Sequence, residues 1–228
     1  MTTLRTPLCD ALGLEWPIFR ATMAGAYTID LVASVSEAGG LGGFGHAYAE
    51  PDVMRTDAQA VRARTQRPFA INLFAASTPD EPPIEQQRGP IAAVLALGAQ
   101  AAQIGTAFLV CPESAASETH RKAIAGMDGD ETAITRAFSG KPARGMRNQF
   151  IDATEGEGFP LLPFPAQQKL TAPLRVASAR EGSPDRIAGW SGQAGSLARR
   201  LPAKDLIRTL AEEACDTIER LHRSLTSS

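Results

Sequence analysis

The sequence predicts an α/β fold built on parallel strands, and three observations carry that prediction. Strand-like and helix-like segments alternate across the first 75 residues. Glycine closes the strands: the first ends in Met23-Ala24-Gly25, and the second, Leu41 to Gly45, is largely glycine. The third, within Arg67 to Phe74, is almost continuously apolar, the pattern of a strand buried on both faces. Pro17 to Gly45 alone holds a strand, a helix and a strand, the size of a minimal parallel βαβ unit.

Each element follows from local signals. Residues 1 to 15 form a lead-in whose Leu4, Leu8, Leu12 and Leu14 are placed to cover one end of a core. The first strand is Pro17 to Thr22. Thr28 is placed to cap a helix over Ile29 to Ala38, with Leu31, Val32 and Val35 as its apolar face. Pro51 suits the first turn of the next helix, which runs to about Arg64. Ala75 to Pro90 is proline-rich and charged, without apolar periodicity, and reads as a polar loop. A helix over Ile91 to Leu97 closes on Gly98, and a fourth strand, Ala101 to Leu109, runs through a Gly105-Thr106 turn. Helices are expected over Pro112 to Ala125 and Glu131 to Phe138, with irregular chain from 139 to 202. A last amphipathic helix, Ala203 to about Leu225, carries Ile207, Leu210, Ala214, Ile218, Leu221 and Leu225 as one stripe.

Composition narrows the function. Among 228 residues, 43% are hydrophobic and 21% charged, the balance of an ordinary globular protein. A net charge of −2 gives no electrostatic footprint for nucleic acid or anionic lipid. No apolar run approaches the ~20 residues of a spanning helix, and the N-terminus lacks a signal-peptide core. Cys9, Cys111 and Cys215 lie far apart, with neither metal nor disulfide spacing; they read as free thiols of a cytoplasmic protein. No metal site can be assembled from them and the three histidines. His46 follows the glycine-rich second strand, where it could face a site, but a loop histidine is usually solvated; His120 and His222 read as surface residues of helices. No catalytic base is identifiable.

Several of these stretches, in order, resemble the nitronate monooxygenase (2-nitropropane dioxygenase) family. They are Met23-Ala24-Gly25, Ala38-Gly39-Gly40-Leu41-Gly42, Arg67 to Phe74, Ile91 to Ala99, and Gln103-Ile104-Gly105-Thr106-Ala107-Phe108-Leu109. Thr119 to Ile124, Gly140 to Asn148 and Trp190-Ser191-Gly192-Gln193 are similar to its C-terminal region. The resemblance implies an FMN-dependent (β/α)8 barrel that oxidises alkyl nitronates with molecular oxygen. Carried onto this sequence, Met23, Ala24 and Gly25 would touch the flavin through their backbone. Asn72 would hydrogen-bond it, and Gln103, Ile104, Gly105 and Thr106 would hold it near the phosphate. Trp190 and Gln193 would line the substrate end of the pocket.

The resemblance also exposes a gap. A barrel of this type needs ~250 residues, about 31 per βα unit, and only Ala75 to Pro90 separates the third strand from the helix before the eighth. Roughly four units, on the order of 125 residues, are absent by that arithmetic, and with them the family's catalytic histidine and much of its phosphate turn. Arg20 and Thr22 stand where the family usually has Gln and Pro. The expected architecture is therefore a partial, half barrel with strands in the order 8-1-2-3 over residues 1–110. A helical and irregular region, 111–228, would pack on it. The third and eighth strands would be open edges, covered by that region or by a second copy, a homo-oligomer. Two alternatives stand beside the nitronate reading: a flavin-dependent enoyl-thioester reductase, and a shortened paralogue without catalysis.

Overall fold

The computed structural model describes residues 4–46, 49–72, 91–128, 131–155 and 159–226. The loop expected over 75–90, with the end of the third strand at 73–74, lies outside them. The described residues form two compact units. One holds 4–46, 49–72, 91–115 and 200–226; the other holds 116–128, 131–155 and 159–199. The C-terminal helix therefore belongs with the strands of the first unit.

In the first unit, α1 (Pro7–Leu12) starts at Thr6, whose hydroxyl accepts the Cys9 N–H. β1 (Ile18–Arg20) is shorter than expected. α2 (Ile29–Glu37) is capped as its sequence predicts, with Thr28 Oγ1 accepting the Leu31 N–H at 3.0 Å. β2 (Gly42–Gly45) follows, then α3 (Pro51–Arg62) with proline in its first turn. β3 is Phe69–Asn72, α4 is Ile91–Ala96 and β4 is Ala102–Ile104. The chain turns helical immediately after Gly105, as α5 (Thr106–Leu109), so the expected strand to Leu109 ends five residues early.

β1 pairs in parallel with β4, and β2 in parallel with β3. A bridge between Phe19 and Leu41 joins the two pairs. Backbone bonds from Leu41 to Ile18 (2.9 Å) and from Arg20 to Leu41 (3.0 Å) hold that seam. The strands thus lie side by side as β4-β1-β2-β3. Ile18, Ala102 and Ile104 pack on one face with Leu31, Val35 and Phe108, which places Phe19 and Gln103 on the opposite face.

β2 is wholly buried, yet three of its four residues are glycine. The reason is space. A Cβ on Gly42 would overlap the Val32 carbonyl oxygen of α2 and come within 2.9 Å of Ser36 Oγ. The helix backbone lies directly on the strand. Gly42→Ala should therefore lower stability by roughly 2–3 kcal/mol, as overpacking against rigid backbone does. Urea denaturation tests this, and an unchanged midpoint would show that α2 yields freely.

The C-terminal helix (Ala203–Thr226) lies on α2 and α4. Ala203, Leu206, Ile207, Ala211 and Ala214 are buried there, and the two largest contribute about 2 kcal/mol each. Glu113 accepts the Ala203 N–H at 3.0 Å and so fixes the start of the helix. Only the first part of the expected stripe is covered, since Leu221 and Leu225 are exposed. The expectation that β3 is buried on both faces is corrected too. Its Phe69 and Ala70 are half-buried, while Ile71 and Asn72 are exposed.

The second unit departs further from the sequence reading. α6 occupies only Glu118–Ala125, beginning where Ser117 accepts the His120 N–H at 3.2 Å. The helix expected over 131–138 is a strand, β5 (Thr132–Thr135), antiparallel to β6 (Ala143–Met146). Thr132, Ile134 and Thr135 are β-branched, and such residues favour strand over helix. The segment read as irregular also holds α7 (Gln149–Thr154) and α8 (Ala166–Arg180). α8 went unseen because its buried face is polar. Gln167 Nε2 donates to the Ala137 carbonyl at 2.6 Å and Thr171 to the Phe138 carbonyl at 2.8 Å, while Leu170 and Val176 face outward. Hydrogen bonds take the place of an apolar stripe.

Candidate functional site

The site begins where β1 ends. Arg20 leads into Ala21-Thr22 and a tight turn at Met23–Ala26, closed by the Ala26 N–H on the Met23 carbonyl at 3.2 Å. Gly25 sits at φ +76°, the left-handed value that the third residue of a type II turn demands. Met23 is half-buried, and Ala24 and Gly25 are exposed. The turn rests on β2. A Cβ on Gly45 would lie 2.7 Å from the Ala24 nitrogen and 2.8 Å from the Met23 carbonyl carbon.

The other expected cofactor residues gather at the same end of the strands. The position a Gly105 side chain would take is 3.5 Å from Met23 Sδ and 3.5 Å from Ala21 Cβ. Gly105 and Thr106 are half-buried between β4 and α5. Asn72 ends β3, and its carbonyl accepts the His46 N–H at 3.2 Å, tying the tips of β2 and β3 together. The residues Asn72 and Gln103 are both exposed. Ile104 differs from its neighbours: it packs toward the helices with Ala102, leaving only its backbone for a ligand. Trp190 and Gln193 belong to the second unit. There Trp190 bridges to Gly145 and packs edge-on against Phe138, and Gln193 opens a 3₁₀ turn.

Beside the turn lies a cleft of about 660 Å³, lined by Ala24, Gly25, Tyr27, Gly45, His46 and Asp57, with Ile29 and Val53 among its apolar residues. His46 is not the solvated loop residue its sequence context suggests. Its side chain is fully buried, stacked on Phe44 at 4.9 Å and met edge-on by Tyr27 at 5.3 Å. Its Nε2 lies 2.9 Å from Asp57 Oδ2, which also accepts the Tyr27 hydroxyl at 3.0 Å. A carboxylate only accepts, so Nε2 carries the proton. Nδ1 is buried with no partner among the described residues. Burial first, and Asp57 second, raise the Tyr27 pKa above its usual value.

Arg20 is the second residue that sequence reasoning left without a role. It is 2% exposed, with Nη1 donating to the Gly43 carbonyl at 2.7 Å and Nη2 to the Ala26 carbonyl at 2.8 Å. A charged residue amid an apolar strand was the available signal. No spacing rule links His46 to Asp57. His120 is half-buried rather than exposed: its Nε2 contacts the Trp190 carbonyl at 3.1 Å, and burial lowers its pKa. His222 is exposed, as expected. Among the described residues no cluster could hold a metal ion, and no helix is long and apolar enough to cross a membrane.

The nitronate monooxygenase family model matches residues 5–89 and 83–213 of this chain. The chain belongs to the nitronate monooxygenase family. Its similarity to a nitronate monooxygenase of Pseudomonas aeruginosa is 44% identity over 124 residues, covering 54% of this chain and 35% of that protein. A relative from Paraburkholderia phytofirmans is 42% identical over 137 residues, 58% of this chain and 37% of the other. The matched stretch thus spans about a third of the length of these relatives. Among solved structures, nitroalkane oxidase from Streptomyces ansochromogenes superposes with a TM-score of 0.83 at 26% identity, over 94% of this chain and 99% of that one. FabK from Thermotoga maritima, at 24% identity and a TM-score of 0.78, shares the fold. The fold class is that of these barrel-type neighbours, α/β with parallel strand pairs.

Proposed function

We propose that the first unit is a half barrel, strands 8-1-2-3 of the family's eight, that binds FMN at the C-terminal ends of β1 to β4 and oxidises alkyl nitronates with oxygen. One observation supports this above the others. The Met23-Ala24-Gly25 turn, Gly105 and Asn72 come from three separate stretches, yet all lie at one end of adjoining parallel strands. Barrel enzymes place their sites at that end.

The residues present suit the ring side of such a cofactor. Ala24 and Gly25 offer exposed backbone, and Asn72 and Gln103 offer exposed amides that can both donate and accept. Gly105 and Thr106 would contribute on the phosphate side. Bound FMN would supply the electron-accepting chemistry, and the residues of this chain would bind and orient it. The described cysteines are free, which suits a cytoplasmic setting.

Purification tests the reading directly. The expected product is yellow, releases FMN on denaturation and consumes oxygen when given propyl nitronate. A colourless protein that takes up no added FMN overturns it. Oxidation of NAD(P)H without nitronate would instead assign the scaffold to the enoyl-thioester reductase alternative. FMN uptake without turnover of either substrate would leave the non-catalytic paralogue.

A further inference from the structure

We infer that two copies of this chain close one eight-stranded barrel, the β3 edge of each pairing in parallel with the β4 edge of the other. The first observation is the pair of edges. The strands lie as β4-β1-β2-β3, and among the described residues no strand pairs with the far side of β3 or of β4. In a parallel ladder, alternate residues turn both backbone groups to the same side. The Asn72 carbonyl accepts from His46, so Asn72 and Ala70 face β2, and Phe69 and Ile71 turn their N–H and C=O groups outward. On β4 the Ala102 N–H donates to Pro17 and the Ile104 carbonyl accepts from Ala21. Both residues therefore face β1, and Gln103 turns outward. At the β3 edge the Ile71 side chain is 43% exposed. Open, apolar edges of this kind are an aggregation hazard that full closure removes.

The second observation is the register, which a second copy fits. Gln103 lies beside Phe19 and Phe19 beside Leu41; the β2–β3 register, continued by one residue, brings Leu41 beside Pro68. Barrels of eight parallel strands have a shear of about eight residues, so two identical halves contribute about four each. Pro68 then stands beside Ala99 of the second copy, and Asn72 beside its Gln103. The opposite offset would set β3 against α5 instead of a strand. In the chosen register the outward Ile71 carbonyl meets the outward Gln103 N–H. Asn72 and Gln103, both exposed, share the face away from the helices, while Ile71 falls beside Ala102 on the helix side. Pairing β3 with β3 of a second copy would leave both β4 edges bare; the parallel arrangement leaves none. It also gathers the strand ends of both copies at one mouth, where Gln103 of each copy joins Asn72 of the other. The inference rests on the half-barrel part of the reading above and not on FMN.

The test uses the full chain. Sedimentation equilibrium at micromolar concentration should give twice the mass of one chain. Asn72→Cys and Gln103→Cys, carrying different tags, are then co-expressed and oxidised. Paired strands lie about 5 Å apart, within disulfide reach, so a covalent dimer should join one variant to the other. Neither variant alone should form it, nor should wild type, whose free cysteines are the control. Ile71→Lys sets a charge on the edge and should weaken the dimer roughly tenfold or more, with an unchanged circular dichroism spectrum. A monomeric wild type overturns the inference. So does a dimer indifferent to Ile71→Lys, one in which either cysteine variant links to itself, or one in which the two variants form no link. FMN uptake by a monomer would leave the flavin reading standing without this inference. A cross-linked dimer that takes up no flavin would do the reverse.

Discussion

Replacing Gly45 with alanine is expected to lift the Met23–Ala26 turn off β2 and to remove with it the FMN site proposed above. The added methyl would meet the Ala24 nitrogen and Met23 carbonyl carbon at under 3 Å, and both are backbone atoms. No side-chain rotation relieves that contact. Overpacking of this kind costs about 1–3 kcal/mol, and for a chain of this size each kcal/mol lowers Tm by roughly 2–4 °C. The expected pattern is a Tm lower by several degrees together with loss of FMN uptake. Thermal denaturation and flavin titration of one preparation decide it. A variant with wild-type Tm and wild-type FMN affinity would mean that the turn has room to shift.

Asp57→Ala should be the more damaging of the two for stability. The carboxylate serves two donors at once, Tyr27 Oη at 3.0 Å and the fully buried His46 Nε2 at 2.9 Å. Without it, His46 keeps two buried ring nitrogens and no hydrogen-bond partner for either among the described residues, because Nδ1 already lacks one there. An orphaned buried donor costs about 1–3 kcal/mol, and the Tyr27 bond is lost besides, giving roughly 2–4 kcal/mol in total. Asp57→Asn retains an acceptor oxygen and should lose less. Urea unfolding of both variants, with Tyr27→Phe to complete a double-mutant cycle, separates the contributions. If Asp57→Ala unfolds at the wild-type midpoint, the cluster does not stabilise the unit.

Much of the first unit was legible because its signals are local. Thr28 before an apolar i, i+3, i+4 pattern is a cap and a helix wherever it occurs, and Pro51 marks a first turn. Glycines at strand ends pointed to close backbone approach, and Gly42 and Gly45 show that approach in atomic detail. The placement of the turn beside Gly105 and of Asn72 at its strand tip follows from the order of the βα units. What was not legible depends on distant partners. His46 looked like a solvated loop residue because Asp57, eleven positions on, reaches it only once α3 has packed. The helix α8 was missed because apolar periodicity was the criterion, and its inward face is built from Gln167, Thr171 and Ser178. In β5 the β-branched Thr132, Ile134 and Thr135 are a local strand signal, which the pairing with β6 completes.

The membership of the C-terminal helix has a consequence for synthesis. Ile18, Leu31, Val35 and Phe108 share their core with Ala203, Leu206, Ile207 and Ala211, and the whole second unit is translated between those two groups. A ribosome that has made residues 4–115 has made every described strand of the first unit, yet not the helix that lies on α2 and α4. The C-terminal helix cannot cover those apolar surfaces while residues 116–199 are made, several seconds at elongation rates of roughly 5–20 residues per second. Residues 116–199, by contrast, are contiguous and can pack as soon as they emerge. The unit that holds residues 4–115 is thus completed only after residues 116–199 have been made.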